Sequence, residues 1–364
     1  MDVNALQEGS GAWLEGTGPE SDIVISSRIR LARNLAEFPF LSRANQKERG
    51  EIERQIREAL FTAQLGSDVA YLSLPPLSAL DRLFLVERHL ISREHAFGTG
   101  PRGVGLGGKE TISVMVNEED HLRIQGLRSG FQLRQVWELV NDVDSALERS
   151  LQYAFDRQFG YLTVCPTNVG TGMRVSVMLH LPALVMTRQI EKVFQAVSKI
   201  HLAVRGFYGE GTQASGDFYQ ISFQPTLGKS EAEIVANVER VVPKIIEYER
   251  TVREGLLEQK RAMLEDKVWR AYGMLQSART IDSAEAMELL SALRMGVNLR
   301  LIADVPISTV NELFIFTQPA HLQKMERHEL ESPERDIARA EYIRGRLGGK
   351  RATRRNKKNG GTKG

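Results

Sequence analysis

The spacing of apolar residues changes character once along the chain, near Lys260. Before that point two grammars alternate. Gln46 to Leu60, Leu77 to Leu90, Gln132 to Leu151 and Leu184 to Ser198 space apolar residues as helices do. Thr111 to Val116, Tyr161 to Val164, Val175 to His180 and Phe218 to Phe223 are β-branched or aromatic runs that read as strands. A long helical stretch runs from Glu231 to about Glu258, with a kink or break expected at Pro243. Beyond it only helical periodicity remains, in Glu258 to Leu275, Ala284 to Leu293, Val310 to Phe316 and Arg335 to Leu347. Asp282 and Ser283 offer N-cap chemistry, with acids in the turn that follows. Such a chain fits neither a single sheet nor a single bundle. The expectation is an α+β domain followed by a smaller all-helical one. The divisions are a lead-in (1–21), the α+β domain (22–254), the helical domain (255–347) and a tail (348–364).

Charge sharpens that division. The 364 residues carry a net +2, but seven Lys/Arg and no acid lie in 348–364. Without them 41 basic residues face 46 acidic, so the body carries −5. The tail reads as a solvated segment, and an acidic body argues against a nucleic-acid face. Hydrophobic residues at 42% and charged at 26% are ordinary globular usage, which excludes collagen-like, disordered and disulfide-scaffold classes. No apolar run approaches the roughly 18 residues of a membrane helix. Met1 to Gly11 lacks a basic start and an apolar stretch, so no secretory signal is expected. The one cysteine, Cys165, cannot form an intramolecular disulfide and points to a cytoplasmic setting.

Gly98 to Lys109 holds six glycines and reads as a flexible loop or lid. Its Gly103-Val-Gly-Leu-Gly-Gly-Lys-Glu110 nearly matches a P-loop. A P-loop needs a helix after the glycines, whereas a strand pattern follows, and Glu110 stands where a Mg²⁺-binding hydroxyl belongs. The seven histidines show no paired metal spacing, so no metal site built from protein side chains is expected.

Other strings carry more. They are Ser26-Ser-Arg-Ile-Arg-Leu-Ala-Arg33, Val116-Asn-Glu-Glu-Asp-His-Leu-Arg123, Cys165-Pro-Thr-Asn-Val-Gly-Thr-Gly-Met-Arg174 and Arg205-Gly-Phe-Tyr-Gly-Glu-Gly211. In order and spacing they resemble the phosphagen (guanidino) kinase family across Asp22 to Tyr248. The resemblance implies a catalytic domain built on an antiparallel sheet flanked by helices, acting on ATP with Mg²⁺. Arg28, Arg30, Arg123, Arg174 and Arg205, each an ordinary surface charge if read alone, would by resemblance converge on the ATP phosphates. Guanidinium forks suit that task, since phosphoryl transfer needs alignment and charge compensation. Ser27 and His95 are implied nucleotide contacts, although His95 reads equally as a core histidine. Glu119 is implied as the principal base and Glu210 as a second clamp on the acceptor guanidinium. Two carboxylates can fix its plane and take a proton as the N–P bond forms. Cys165, a buried packing residue by the ordinary reading, is implied as a thiolate that tunes the guanidine, with Thr167 beside it. Asp120 and Asn168 are implied supports. Met178 departs from the family, where many members place a nucleoside-contacting histidine.

Only 25 residues precede Ser26, where kinases of small guanidines carry a helical domain that closes over the substrate. The expectation is an acceptor side open to a guanidinium carried on a protein. The whole chain resembles the bacterial protein-arginine kinases of McsB type. That resemblance implies homodimers formed through the helical domain. It also implies a stress-response role, in which the heat-shock repressor and damaged proteins are marked for a Clp-type protease with help from a zinc-containing activator. Arg335 and Arg339 lie at i and i+4 on a helix with Asp336 between them. They read as an exposed charge ladder or, by resemblance, as an allosteric phosphoarginine pocket. The alternatives are a free-guanidino phosphagen kinase with a reduced N-terminus, a non-catalytic phosphoarginine binder and nucleic-acid binding through the tail.

Overall fold

The computed structural model describes residues 3–63, 69–206 and 216–348. Glu210 and the basic segment 349–364 lie outside them. The chain divides into two compact units between Leu256 and Leu257.

The first unit is organised by an eight-stranded sheet. Its strands are β1 (Val24–Arg33), β2 (Ala70–Ser73), β3 (Gly103–Gly107), β4 (Ile112–Val116), β5 (Leu122–Ser129), β8 (Met173–His180), β9 (Ala203–Gly206) and β10 (Phe218–Phe223). A separate two-stranded hairpin joins β6 (Phe155–Asp156) to β7 (Gly160–Tyr161). The order across the large sheet is β2-β3-β4-β5-β1-β8-β10-β9, and every neighbouring pair is antiparallel. The helices are α1 (Gln46–Thr62), α2 (Ala79–Glu87), α3 (Arg93–Phe97), α4 (Leu133–Glu148), α5 (Pro182–Met186), α6 (Ile190–Ser198) and α7 (Glu231–Gln259).

Strand alternation separates the two faces of this sheet. Ile29 and Leu31 of β1, Ile124 of β5, Val175 and Val177 of β8 and Ile221 of β10 enter the core. Val136 and Val140 of α4 pack over Gly126, where a side-chain carbon would lie 2.5 Å from Val140. The residues between these, Arg28 and Arg30 among them, belong to the opposite face.

Several sequence expectations need correction. Gly98 to Lys109 is not a loop throughout, because Gly103–Gly107 is the buried strand β3, paired on both edges. Its glycines permit close packing: a Cβ at Gly103 would sit 2.2 Å from the Tyr71 hydroxyl, and one at Gly105 2.9 Å from Leu60. Leu184 to Ser198 is two helices rather than one, divided where Arg188 takes a left-handed conformation (φ 56°). The helix α7 continues through Pro243. The proline is exposed, so the carbonyl it leaves without a partner can bond water. Of Tyr161 to Val164 only Tyr161 is in a strand. The strands β1, β2, β5, β6 and β9 were not among those expected.

The second unit is helical: α8 (Arg261–Ser277), α9 (Ser283–Asn298), α10 (Ile307–Phe316), α11 (Pro319–Glu326) and α12 (Ser332–Leu347). The Asp282 carboxylate caps α9 by accepting from the Glu285 amide at 2.8 Å. Gly296 of α9 lets α8 approach closely, since a Cβ there would meet Val268 at 2.3 Å. No α11 was expected; proline occupies its first turn, a position that does not need an amide proton.

Candidate active site

Antiparallel register gathers the arginines. Arg30 of β1 lies opposite Arg174 of β8 and opposite Gln125 of β5. Two residues along β1, Ala32 lies opposite Arg123. Arg28 lies opposite Ser176, which in turn faces Ser222 of β10, and Gln220 of β10 faces Arg205 of β9. Directly paired residues share a face, as do residues two apart. Arg28, Arg30, Arg123, Arg174 and Arg205 therefore occupy one face of five adjacent strands, the side opposite the core.

The electrostatics of this face are those of cations held together. Burial lowers the Arg28 pKa well below the usual arginine value, and Arg30, Arg174 and Arg123 push it further. Arg30 falls to about 10, through burial and then through Arg123, with Arg205 adding to the effect. Glu118 opposes both shifts. A cationic face with too few acids is a site for a polyanion. The Arg28 guanidinium bonds the Gln125 carbonyl, and the Gln125 amide donates to the His89 carbonyl at 2.8 Å and to Ser113 at 3.1 Å. Arg174 donates to the Ser222 hydroxyl at 3.0 Å. Beside Arg28 lies a shallow pocket lined by Ser26, Leu127, Ser176, Met178 and Gln220 and walled by Trp13 and His89.

At one end of this face the β4–β5 turn presents acids. Asn117 takes a left-handed conformation (φ 58°), and its amide donates to the carbonyls of Arg49 (2.8 Å) and Pro101 (2.9 Å). The three residues that follow surround Arg123. Glu118 pairs with it at 2.7 Å, Glu119 also pairs with it, and Asp120 lies at 3.4 Å. The guanidinium pKa is raised, because the three carboxylates outweigh its burial. Burial would raise the Glu118 pKa, but Arg123, the Ser92 hydroxyl (2.6 Å) and the Glu119 amide (2.8 Å) hold it below the usual value. Glu119 is the accessible acid, with its side chain 42% exposed.

Asp120 is fully buried and joins three segments. It accepts from Asn34 after β1 (2.8 Å) and from the Val164 amide beside Cys165 (2.9 Å), and it faces Arg123. Cys165 is half-buried, not enclosed as expected, because it stands at the mouth of a one-turn helix, Pro166–Asn168. Its thiol lies 3.0 Å from the Thr167 hydroxyl. Asn168 accepts from Gln224. Next to this turn, Arg33 donates to the Thr171 carbonyl at 2.8 Å and pairs with Asp144 in the core at 2.7 Å.

Two expected nucleotide contacts bond to the protein's own backbone, and His95 lies close enough to Glu118 and Arg123 to feel their charge. The Ser27 hydroxyl lies on the core face, donates to the Gly130 carbonyl (2.9 Å) and accepts from the Gln132 amide (3.0 Å). His95 is buried, and its Nε2 donates to the Gly103 carbonyl at 2.9 Å. Sequence reasoning gave no role to Ser92, Gln125, Asn34 or His121. The His121 ring accepts the Leu35 amide at Nδ1 (2.9 Å) and donates from Nε2 to the Pro39 carbonyl (3.1 Å). Gln125 was the most findable of these, since it lies two residues after Arg123 and so shares its face.

In the helical unit the charge ladder is not an exposed one. Arg339 is 1% exposed and donates to the carbonyls of Thr317 and Ile281, to Ser283 and to Asp336, all within 2.9 Å. Helix α12 needs that arginine to hold the α8–α9 connection. Arg335 is half-buried and donates to the Leu330 carbonyl at 2.6 Å.

Among the described residues no group of three or more His, Cys, Asp or Glu could hold a metal ion. No helix there is long and apolar enough to cross a membrane.

Comparison with known proteins agrees with this geometry. Residues 51–252 match the ATP:guanido phosphotransferase C-terminal catalytic domain, and residues 261–359 match the protein-arginine kinase McsB C-terminal domain. The protein-arginine kinase of Symbiobacterium thermophilum is 49% identical over 92% of this chain and 96% of its own length. That of Desulforamulus reducens is 49% identical over 92% of this chain and 95% of its own. Among solved structures, a duplicated taurocyamine kinase from Schistosoma mansoni, bound to transition-state-analogue components, aligns with a TM-score of 0.58 at 29% identity. The alignment covers 69% of this chain and 35% of that one. A lombricine kinase aligns with a TM-score of 0.57 at 28% identity, over 70% of this chain and 76% of that one. The chain belongs to the ATP:guanido phosphotransferase family, within its protein-arginine kinase branch of McsB type.

Proposed function

We propose that this enzyme transfers the γ-phosphoryl group of ATP to the guanidino group of arginine side chains in proteins. One observation carries the proposal: the cationic face runs directly into a turn whose carboxylates already hold a guanidinium, that of Arg123. The phosphates lie along Arg28, Arg30, Arg174 and Arg205, and the base enters the space beside Met178. Mg²⁺ would be held by the nucleotide's phosphates and water rather than by protein side chains, and would offset phosphate charge. Glu119 exchanges Arg123 for the acceptor guanidinium and orients one nitrogen toward the γ-phosphorus. The N–P bond forms, the bond from the γ-phosphorus to the bridging oxygen of ADP breaks, and the departing nitrogen proton passes to Glu119. Cys165 tunes the charge of the guanidine, and Glu210 serves as the second clamp.

The family resemblance supports extending this reading to a cytoplasmic stress response. There the heat-shock repressor and damaged proteins are marked for a Clp-type protease, with a zinc-containing activator and a homodimer formed through the helical unit. Asp336 and Arg335 then bind phosphoarginine, with Arg339 positioning Asp336.

Mass spectrometry of a protein acceptor after incubation with MgATP, under conditions that preserve the P–N bond, tests the central claim. Phosphorylated arginine is expected. Glu119→Gln is expected to lower the rate by about 10²–10⁴-fold while nucleotide binding persists. Phosphate on free arginine and never on protein would favour the free-guanidino phosphagen kinase instead.

A further inference from the structure

Six large apolar side chains of the first unit are exposed among the described residues: Phe61, Phe97, Phe155, Phe159, Ile200 and Leu227. Scattered singly, such residues need no explanation. Four of them, 46–61% exposed, instead sit on segments bonded to the two turns that form the acceptor end of the site. Phe97 ends α3, whose cap Ser92 donates to Glu118, and the segment after it offers the Pro101 carbonyl to Asn117. Phe155 and Phe159 lie on the β6–β7 hairpin. The Tyr161 backbone of that hairpin pairs with Gly170, and Val164 just beyond it bonds Asp120. The Phe155 and Tyr161 rings meet edge to face, 5.2 Å between centroids. Leu227 follows Thr226, whose hydroxyl donates to the Thr167 carbonyl at 3.1 Å.

The position of these residues matters because of reach. Phe159 precedes Cys165 by six residues, so even fully extended chain separates them by about 20 Å or less. An extended polypeptide advances roughly 3.3 Å per residue. A chain with its arginine at Glu119 therefore carries residues two to six positions away through roughly 7–20 Å, a reach comparable to that separation. The carboxylate turn recognises a guanidinium but nothing around it; the rim supplies what the turn lacks.

We infer that Phe97, Phe155, Phe159 and Leu227 dock the chain that flanks the target arginine and select extended segments with apolar or aromatic side chains beside it. This rests on the protein-arginine reading above and names the substrate class of that site. Aromatic rings at a binding surface gain much from burial against apolar partners, whereas a serine- or glycine-flanked chain offers them little.

The test uses the full-length enzyme and two peptides with one central arginine, flanked by Leu and Phe in one and by Ser and Gly in the other. The wild type is expected to show a kcat/KM about tenfold higher for the apolar-flanked peptide, mainly through KM. F155S/F159S and, separately, F97S/L227S are expected to reduce that preference to about threefold or less. The KM for ATP and the rate on the Ser/Gly peptide should stay within about twofold, with an unchanged melting temperature reporting an intact fold. Equal wild-type rates on both peptides would overturn this inference and leave the kinase reading standing. A preference that persists in both double variants would overturn its assignment to the rim. Failure of the wild type to phosphorylate either peptide would overturn the underlying reading itself.

Discussion

Arg30 stands between Arg123 on one flank and Arg205 on the other, and that placement costs the protein stability. Its pKa is lowered to about 10, so the fold disfavours the charged form. For a base lowered on folding, the penalty is fully present below the folded pKa and is relieved only as pH rises through it. At neutral pH the free protein therefore carries the whole penalty, and a bound polyphosphate removes it. Replacing the cation with a neutral side chain should then have two opposed effects. Arg30→Gln is expected to raise the melting temperature of the nucleotide-free protein by a few degrees. That corresponds to about 1 kcal/mol after discounting for the partial exposure of the side chain. The same change should weaken ATP binding by about tenfold or more. Thermal melts with and without MgATP measure both effects. A lower melting temperature without nucleotide would mean that Arg30 is held by partners rather than repelled by neighbours.

The elements show what a strand pattern can and cannot reveal. In β1 the alternation from Ser26 to Arg33 fixes a two-faced strand, with Ile29 and Leu31 to the core and Arg28 and Arg30 away from it. Two of the strings meet strand ends, Val116–Arg123 across the β4–β5 turn and Cys165–Arg174 before β8, where residue type answers to more than packing. The strand β3 was not legible. Glycine carries no periodicity, and its reason for being there is the Tyr71 hydroxyl, contributed by a four-residue strand just as hard to read. Nor could the grouping of Glu118, Glu119 and Asp120 around Arg123 be read. It depends on the left-handed Asn117, which turns three consecutive acids toward one side chain. Two glycine substitutions of opposite sign test this account. Gly103→Ala would place a carbon 2.2 Å from the Tyr71 hydroxyl, itself bonded to Glu53 at 2.9 Å. It is expected to destabilise by about 1–3 kcal/mol. Gly273→Ala, inside α8 with nothing within 4 Å, is expected to stabilise by about 0.5–1 kcal/mol. Urea denaturation of both variants decides; destabilisation of similar size in each would refute the packing argument.

At the scale of the whole molecule, three histidines tie the site to its frame, His95 and His121 buried and His89 half-buried, and all three are held neutral. Burial lowers His89 to about 3, with Arg28 adding to the effect, and lowers His95 and His121 to about 4. Each supports backbone that carries site residues. The His89 carbonyl anchors Gln125, the His95 ring bonds Gly103, and the His121 ring joins Leu35 to Pro39 beyond the end of β1. The sign of the linkage follows directly. In the unfolded chain a histidine takes up its proton near pH 6.5, while in the fold it does so only at about pH 3 to 4. Stability is therefore complete above about pH 6.5 and is lost as pH falls from there toward 4, at up to about 1.4 kcal/mol per pH unit for each histidine. The arginines of the cradle keep their charge throughout that window, so nucleotide affinity should outlast stability. The expected result is a melting temperature that drops steeply between pH 6.5 and 4.5, while the dissociation constant for MgATP, measured well below the melting temperature, changes by less than about threefold. His121→Asn keeps an acceptor for the Leu35 amide and removes one titrating ring, so it should make that drop visibly shallower. An equally steep drop in the variant would show that acid acts through other groups. A parallel loss of nucleotide affinity would show that it reaches the cradle itself.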